Sequence, residues 1–191
     1  MSSLTIIEFD DKLFSDADCS ALLLYESSTF ESLPISRPNV LSFIRTFNKI
    51  STCQQYVNTN SQKRFTLFAY SENMVLWLKK KFDMPNNLTK IVIFCRLDED
   101  KYYLQKWTRR YSEKIKKIVT FVQLEYELLF FGIEYIQDLM KQSKDNLDLY
   151  FLLEEKYQQL CSNLGNYFDK AISHVEKKLI NSFFFILLNC Y

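Results

Sequence analysis

Lys90-Ile-Val-Ile-Phe-Cys95 is the stretch that decides how this chain folds. The residues from Ile91 to Cys95 are apolar or nearly so, and charged Lys90 and Arg96 close the run on either side. The run is too short for a helix and rich in β-branched types, the pattern of a strand buried on both faces. Leu22-Leu-Leu-Tyr25 and Phe65-Thr-Leu-Phe-Ala-Tyr70 have the same character, and helical patterns separate all three. Strand alternating with helix predicts a parallel α/β sheet, an architecture that hosts many chemistries.

Working outward, strands are expected at Ala21–Tyr25, Arg64–Tyr70, Lys90–Cys95 and Ile115–Val122, with a weaker pattern at Leu4–Phe9. Ser27–Pro38 holds two prolines and reads as a loop. Asn39 is placed to cap a helix running to about Phe47, because Val40, Phe43, Ile44 and Phe47 fall on one helical face. Ser51 is expected to cap a short helix to Asn58 that turns Cys53, Tyr56 and Val57 inward. Ser71-Glu-Asn-Met opens another on Met74, Val75, Leu78 and Phe82, and Pro85 ends it. From Asp98 a helix runs to about Ser112, with Leu104, Trp107 and Tyr111 as its apolar face.

Leu124–Met140 is apolar almost all round, as in a helix buried on more than one side. Leu147–Leu164 and Tyr167–Ile180 predict two amphipathic helices meeting near Gly165. The polar run Lys141–Asn146 marks an internal boundary. These readings divide the chain into an irregular segment 1–19, an α/β domain 20–140 and a C-terminal helical extension 141–191.

Composition narrows the chemistry. Only 2 glycines occur, and neither G-x-G-x-x-G nor G-x-x-x-x-G-K-[ST] is present, which argues against a phosphate-cradling loop. The cysteines (Cys19, Cys53, Cys95, Cys161, Cys190) are odd in number and scattered, and the acidic N-terminus does not resemble a signal peptide. Reduced, buried thiols in the cytoplasm are the expectation. With His174 the only histidine, zinc-site spacings are missing. Residues 79–117 hold 12 basic and 5 acidic side chains, whereas 118–191 hold 6 and 10. A basic middle suits either an anionic partner or the solvated faces of two helices. The apolar tail Phe183–Leu188 is too short to span a membrane, which needs roughly 20 residues. It reads as a buried terminal helix or a partner-facing patch.

Strands alternating with helices over residues 20–140 match the flavodoxin-like plan of receiver domains. At finer grain the chain resembles a receiver-like module of multidomain rotifer proteins, where the module precedes tetratricopeptide repeats or an ADP-ribosyltransferase domain. The resemblance is carried by Ile91-Val-Ile-Phe-Cys95, by Trp107, by Lys114-Ile-Lys116 before the last strand, and by Cys53-Gln-Gln-Tyr56. Tyr70-Ser71-Glu72 stands where that pattern has a Ser-Gly turn.

A working receiver needs an Asp ending its third strand, an acidic pair after its first and a Lys after its last. Here those places hold Tyr70-Ser71, a single Glu26, and Thr120-Phe-Val-Gln123 with no adjacent lysine. The resemblance therefore implies a degenerate receiver without phosphotransfer. A crevice lined by Glu26, Ser71, Glu72 and Arg96 remains a candidate for a small ligand, or is an inert loop surface. Glu125-Tyr-Glu127 has the E-x-E form of ADP-ribosyltransferases, but it lies on a helical pattern rather than in a mixed β fold. His174 reads as a structural histidine rather than half of a Cys–His pair. Tyr102, Tyr103, Trp107 and Tyr111 interleave with Lys101, Lys106, Arg109 and Arg110, the composition of a single-strand nucleic-acid platform. Trp107 and Tyr111 share a face with Leu104, however, which marks a core stripe.

The expectation is thus a non-enzymatic, cytoplasmic α/β module with a five-stranded parallel receiver-like (flavodoxin-like) sheet and a C-terminal helical extension. No catalytic, cofactor-binding or metal-binding residue is assigned. Its partner is expected to be a protein or a second copy, through Leu124–Met140 and Phe183–Leu188, and not a membrane. The alternatives are anionic-partner or nucleic-acid binding through Lys79–Lys81, Lys106, Arg109 and Arg110, or an ADP-ribosyltransferase-associated enzyme fragment.

Overall fold

A computed structural model describes residues 11–14, 17–26, 33, 42–79 and 84–189, with side chains described between Leu13 and Ser173. The expectations for Leu4–Phe9, Asn39, Val40, Lys80, Lys81, Phe82 and most of Ser27–Pro38 lie outside these residues. His174 and Phe183–Leu188 are described in backbone only.

Five strands are described: β1 (Cys19–Leu24), β2 (Ile44–Phe47), β3 (Arg64–Tyr70), β4 (Leu88–Cys95) and β5 (Ile115–Thr120). They form one sheet in the order β2-β1-β3-β4-β5, and every neighbouring pair is parallel. This is the flavodoxin-like order, with the chain reversing its direction of growth between β1 and β3. The described helices are α1 (Asp11–Phe14), α2 (Ile50–Thr59), α3 (Ser71–Lys79), α4 (Asp98–Thr108), α5 (Phe121–Gln142) and α6 (Leu147–Asn189). A 3-10 turn at Arg109–Tyr111 follows α4.

Parallel strands covered on both faces have no solvent side, so interior strands must be apolar at successive positions. Ile91 to Cys95 are all buried, as are Leu67 to Tyr70 and Ser20 to Leu24. Leu22, Leu67 and Ile91 align across three strands, and Leu24, Ala69 and Ile93 form the next row of the same face. These rows pack with Cys53 and Val57 of α2, Met74 and Trp77 of α3, and Leu104 of α4. The intervening row, Leu23, Phe68 and Val92, turns to the opposite face. The edge strands are half-polar: β2 buries only Ile44, and Lys116 and Lys117 of β5 face water.

Four sequence expectations are corrected. Residues 44–47 form a strand, not the end of a helix, with Ile44 to Phe47 in register with Ala21 to Leu24. Short apolar spacings fit either period, and the open edge of β1 selects the strand. Ser51 does not cap α2, which begins at Ile50. Leu147–Leu164 and Tyr167–Ile180 do not meet at a break: α6 is continuous through Gly165. A single glycine costs a helix about 1 kcal/mol, too little to end one of this length. The last strand also stops earlier than expected, at Thr120. Phe121 and Val122 open α5, and Gln123 Oε1 accepts the Thr120 N–H at 3.1 Å.

The chain divides into two compact units, one ending at Leu128 and the other beginning at Leu129. In the second unit, Asn146 Oδ1 accepts the Leu149 N–H at 3.2 Å and caps α6. Among the described residues no helix is long and apolar enough to cross a membrane.

Candidate functional site

In an open α/β sheet, ligands enter at the carboxyl ends of the strands, most readily where the strand order reverses. That place lies between β1 and β3, and here it is closed. Asn73, on the first turn of α3, is 1% exposed. Its Nδ2 donates to the Glu26 carbonyl at 2.6 Å, and its Oδ1 accepts the Glu26 N–H at 2.9 Å. The Glu26 carboxylate in turn accepts the Ile50 N–H at 2.7 Å. It thereby serves the N-terminus of α2, whose own cap residue Lys49 supplies no side-chain bond. The one acidic residue that follows β1 is committed to structure.

Four rings cluster at the same end of the sheet. Tyr25 follows β1, Tyr70 ends β3, Phe94 lies in β4, and Phe121 follows β5. All six pairings bring ring centroids to between 5.4 and 6.1 Å. Tilted and edge contacts at this range are favourable beyond the area they bury. The Tyr25 hydroxyl is buried with no hydrogen-bond partner among the described residues. Among the described residues, the ring cluster offers no polar cradle for a phosphoryl group or a metal here.

One strand further along, the sheet opens. A cleft of about 540 Å³ is bounded by α3 and α4, with Ser71, Glu72, Arg96 and Asp100 as its polar lining. Leu76, Leu97 and Tyr103 also line it, and they are 48%, 58% and 72% exposed. The expected crevice is therefore split: Ser71, Glu72 and Arg96 share this cleft, while Glu26 is held in the closed seam. Both carboxylates of the lining have local roles. Glu72 Oε1 accepts the Tyr70 hydroxyl at 3.2 Å, and Asp100 Oδ2 accepts the Leu97 N–H at 3.2 Å. Burial pushes the Tyr70 phenol up, the Glu72 charge adds to the rise, and the Arg96 guanidinium opposes it.

Among the described residues the cleft is lined by neither histidine nor cysteine. Cys95 lies beneath it, buried, with its thiol 3.3 Å from the carbonyls of Leu97 and Val119. Burial pushes that thiol up to about 11 and the Cys53 thiol up to about 12, so both are protonated, inert core residues near neutral pH. Among the described residues no group of three or more His, Cys, Asp or Glu side chains could hold a metal ion.

The remaining candidates are dispersed. Glu127 pairs with Lys117 at 2.7 Å, and Glu125 lies two positions away on the same helix, so the E-x-E is no paired-glutamate site. Trp107 and Tyr111 are half-buried and pack against the core. Tyr102 and Tyr103 stay exposed beside Lys106, Arg109 and Arg110. Lys101 is tied to Asp98 at 2.9 Å and to Gln123 Oε1 at 2.6 Å, bringing an ammonium to the end of β5 that the local sequence does not show. Asn73 and Trp77 escaped sequence reasoning too. Asparagine on a first turn reads as polar surface, and only the position of Glu26 in space gives it a role.

No family model, no curated protein and no solved structure matches the chain.

Proposed function

We propose that this chain is a non-enzymatic, receiver-like interaction module that binds a segment of another protein in the cleft between α3 and α4. One observation carries the reading. Leu76, Leu97 and Tyr103 stand exposed around a concave surface at the strand ends, where both lining carboxylates are already engaged. Exposed apolar side chains grouped around a cleft are the feature that separates an interaction surface from ordinary surface. The closed β1–β3 seam supports the absence of catalysis, because Glu26 and Asn73 are engaged in holding backbone. Cys19, Cys53, Cys95 and Cys161 take part in no disulfide, which fits action in the reducing cytoplasm. Control of a neighbouring or separate catalytic domain is the role such a module would serve.

The test replaces Leu97 by Asn. A partner that wild type captures and Leu97→Asn loses, with a thermal stability no lower than wild type's, supports the reading. Identical capture by both removes the cleft from the function. Leu128→Asp is no test of an interface, because Leu128 is fully buried within the chain and the change would unfold it.

A second reading rests on the exposed pair Tyr102 and Tyr103, whose rings meet edge-on at 5.8 Å beside exposed Lys106, Arg109 and Arg110. Single-stranded oligonucleotide binding that falls steeply with salt, and falls again in Tyr102→Ala, would favour it.

A further inference from the structure

The cleft between α3 and α4 combines exposed apolar side chains with an excess of negative charge. Its two carboxylates come from different helices, Glu72 from the first turn of α3 and Asp100 from the first turn of α4. Each is engaged through one oxygen only, and by a neutral donor. Glu72 Oε1 takes the Tyr70 hydroxyl, and Asp100 Oδ2 takes the Leu97 N–H. No ion pair among the described residues uses either carboxylate, so each keeps an oxygen and a full charge for a cation.

The surroundings add to that charge. Glu99 precedes Asp100 on the same turn, is exposed, and enters no described ion pair either. Asp98, by contrast, is neutralised by Lys101. Arg96 is the one cation among the lining residues, and it lies beside the Tyr70 phenol. A helix start stabilises a carboxylate by itself, which accounts for each acid singly. It does not account for their meeting, from two helices, beside an exposed ring.

That ring is Tyr103. It follows Asp100 by three positions and Glu99 by four, so it neighbours both on the α4 surface, and it is 72% exposed. An aromatic face next to carboxylates suits a guanidinium better than an ammonium. The planar fork stacks on the ring while its N–H groups reach the carboxylate oxygens. Its aliphatic stem covers apolar surface, and Leu76 and Leu97 supply that surface at 48% and 58% exposure.

We propose that the segment bound in this cleft carries an arginine beside an apolar residue. The guanidinium lies among Glu72, Asp100 and the Tyr103 ring, and the apolar side chain covers Leu76 and Leu97. The inference rests on the cleft reading and names the chemistry of its occupant.

The test selects random peptides displayed on phage against the full chain, with counter-selection on Leu97→Asn. Peptides that need Leu97 are expected to share an arginine next to an aliphatic or aromatic residue. One of them, made synthetically, then serves as the probe. Glu72→Gln and Asp100→Asn keep an acceptor for the local hydrogen bond and are expected to keep the wild-type circular dichroism. Each is expected to weaken probe binding about tenfold. Tyr103→Leu is expected to weaken it about threefold, and a probe with lysine for arginine to bind about fivefold more weakly. Leu97-dependent peptides without arginine, or indifferent to both carboxylate variants, overturn the inference and leave the cleft reading standing. Acidic peptides that pair with Arg96 overturn it too. If no selected peptide distinguishes wild type from Leu97→Asn, the cleft reading itself fails, and the inference with it.

Discussion

Between β1 and β3 the sheet ends in a closed seam, and between β3 and β4 it ends in an open cleft bounded by α3 and α4. Both gaps sit at the carboxyl ends of adjacent parallel strands, and Ser71-Glu-Asn73 borders both. The difference is what the side chains satisfy. Asn73 turns toward β1 and binds both backbone groups of Glu26, whereas Glu72 turns toward Tyr70 and leaves its neighbours Leu76 and Leu97 in water. β4 divides the two regions residue by residue: Phe94 joins the ring cluster, and Cys95, on the opposite face, lies beneath the cleft. The position that sheet topology favours for ligands is structural here, and the open surface lies one strand over.

If that contrast is right, mutations in the seam cost stability and mutations in the cleft do not. The largest effect is expected from Phe94→Ala. This ring is fully buried and touches three others, so its loss should cost about 3–5 kcal/mol. Urea unfolding reads it directly, and a loss below about 1 kcal/mol would mean the rings are not a packed cluster.

The thiols give the next largest effect and a pH signature. An unfolded cysteine ionises near 8.5, whereas folded Cys95 and Cys53 hold their protons to about 11 and about 12. Above pH 8.5 the unfolded chain therefore sheds protons that the folded chain keeps, and stability falls as pH rises. The fall is roughly 1 kcal/mol per thiol per pH unit up to the folded values, and stability is insensitive to these groups below about pH 8. Urea midpoints from pH 8 to 10 should decline, and Cys53→Ala should decline less steeply. A flat profile would mean that Cys53 and Cys95 are not sealed beneath the sheet.

Asn73→Ala removes two hydrogen bonds from the seam and should cost about 2 kcal/mol. Glu26→Gln keeps an acceptor for the Ile50 N–H but removes the charge at the α2 N-terminus, and should cost about 0.5–1 kcal/mol. If Asn73→Ala were as mild as Glu26→Gln, the clasp would be ornamental and the seam open to ligands.

The same division sets what could be read from sequence. Interior strands announce themselves because burial on both faces demands unbroken apolar runs, so Ile91–Cys95 and Phe65–Tyr70 were legible. Edge strand β2 has only Ile44 buried, and its spacing with Phe43 and Phe47 mimics a helix. Its identity depends on pairing with β1, which local sequence does not encode. The site was half legible for a similar reason. Ser71, Glu72 and Arg96 do share a cleft, because each follows a strand whose end was correctly placed. Glu26 was misplaced, because its role depends on Asn73 and Ile50, 47 and 24 residues away.

The smallest expected effect separates the two regions most sharply, because its sign is reversed. Leu97 is the N-cap residue of α4, extended at φ −115° and ψ 151°, and it provides no side-chain bond to the first turn. Asparagine in that conformation accepts a hydrogen bond from the free N–H groups that begin a helix. Leu97 is also 58% exposed, so little apolar packing is lost on replacement. Leu97→Asn should therefore stabilise the isolated chain by about 0.5–1 kcal/mol while removing an apolar anchor from the cleft. If Leu97→Asn instead destabilises the chain, Leu97 belongs to the packed structure, and the cleft differs from the seam only in degree.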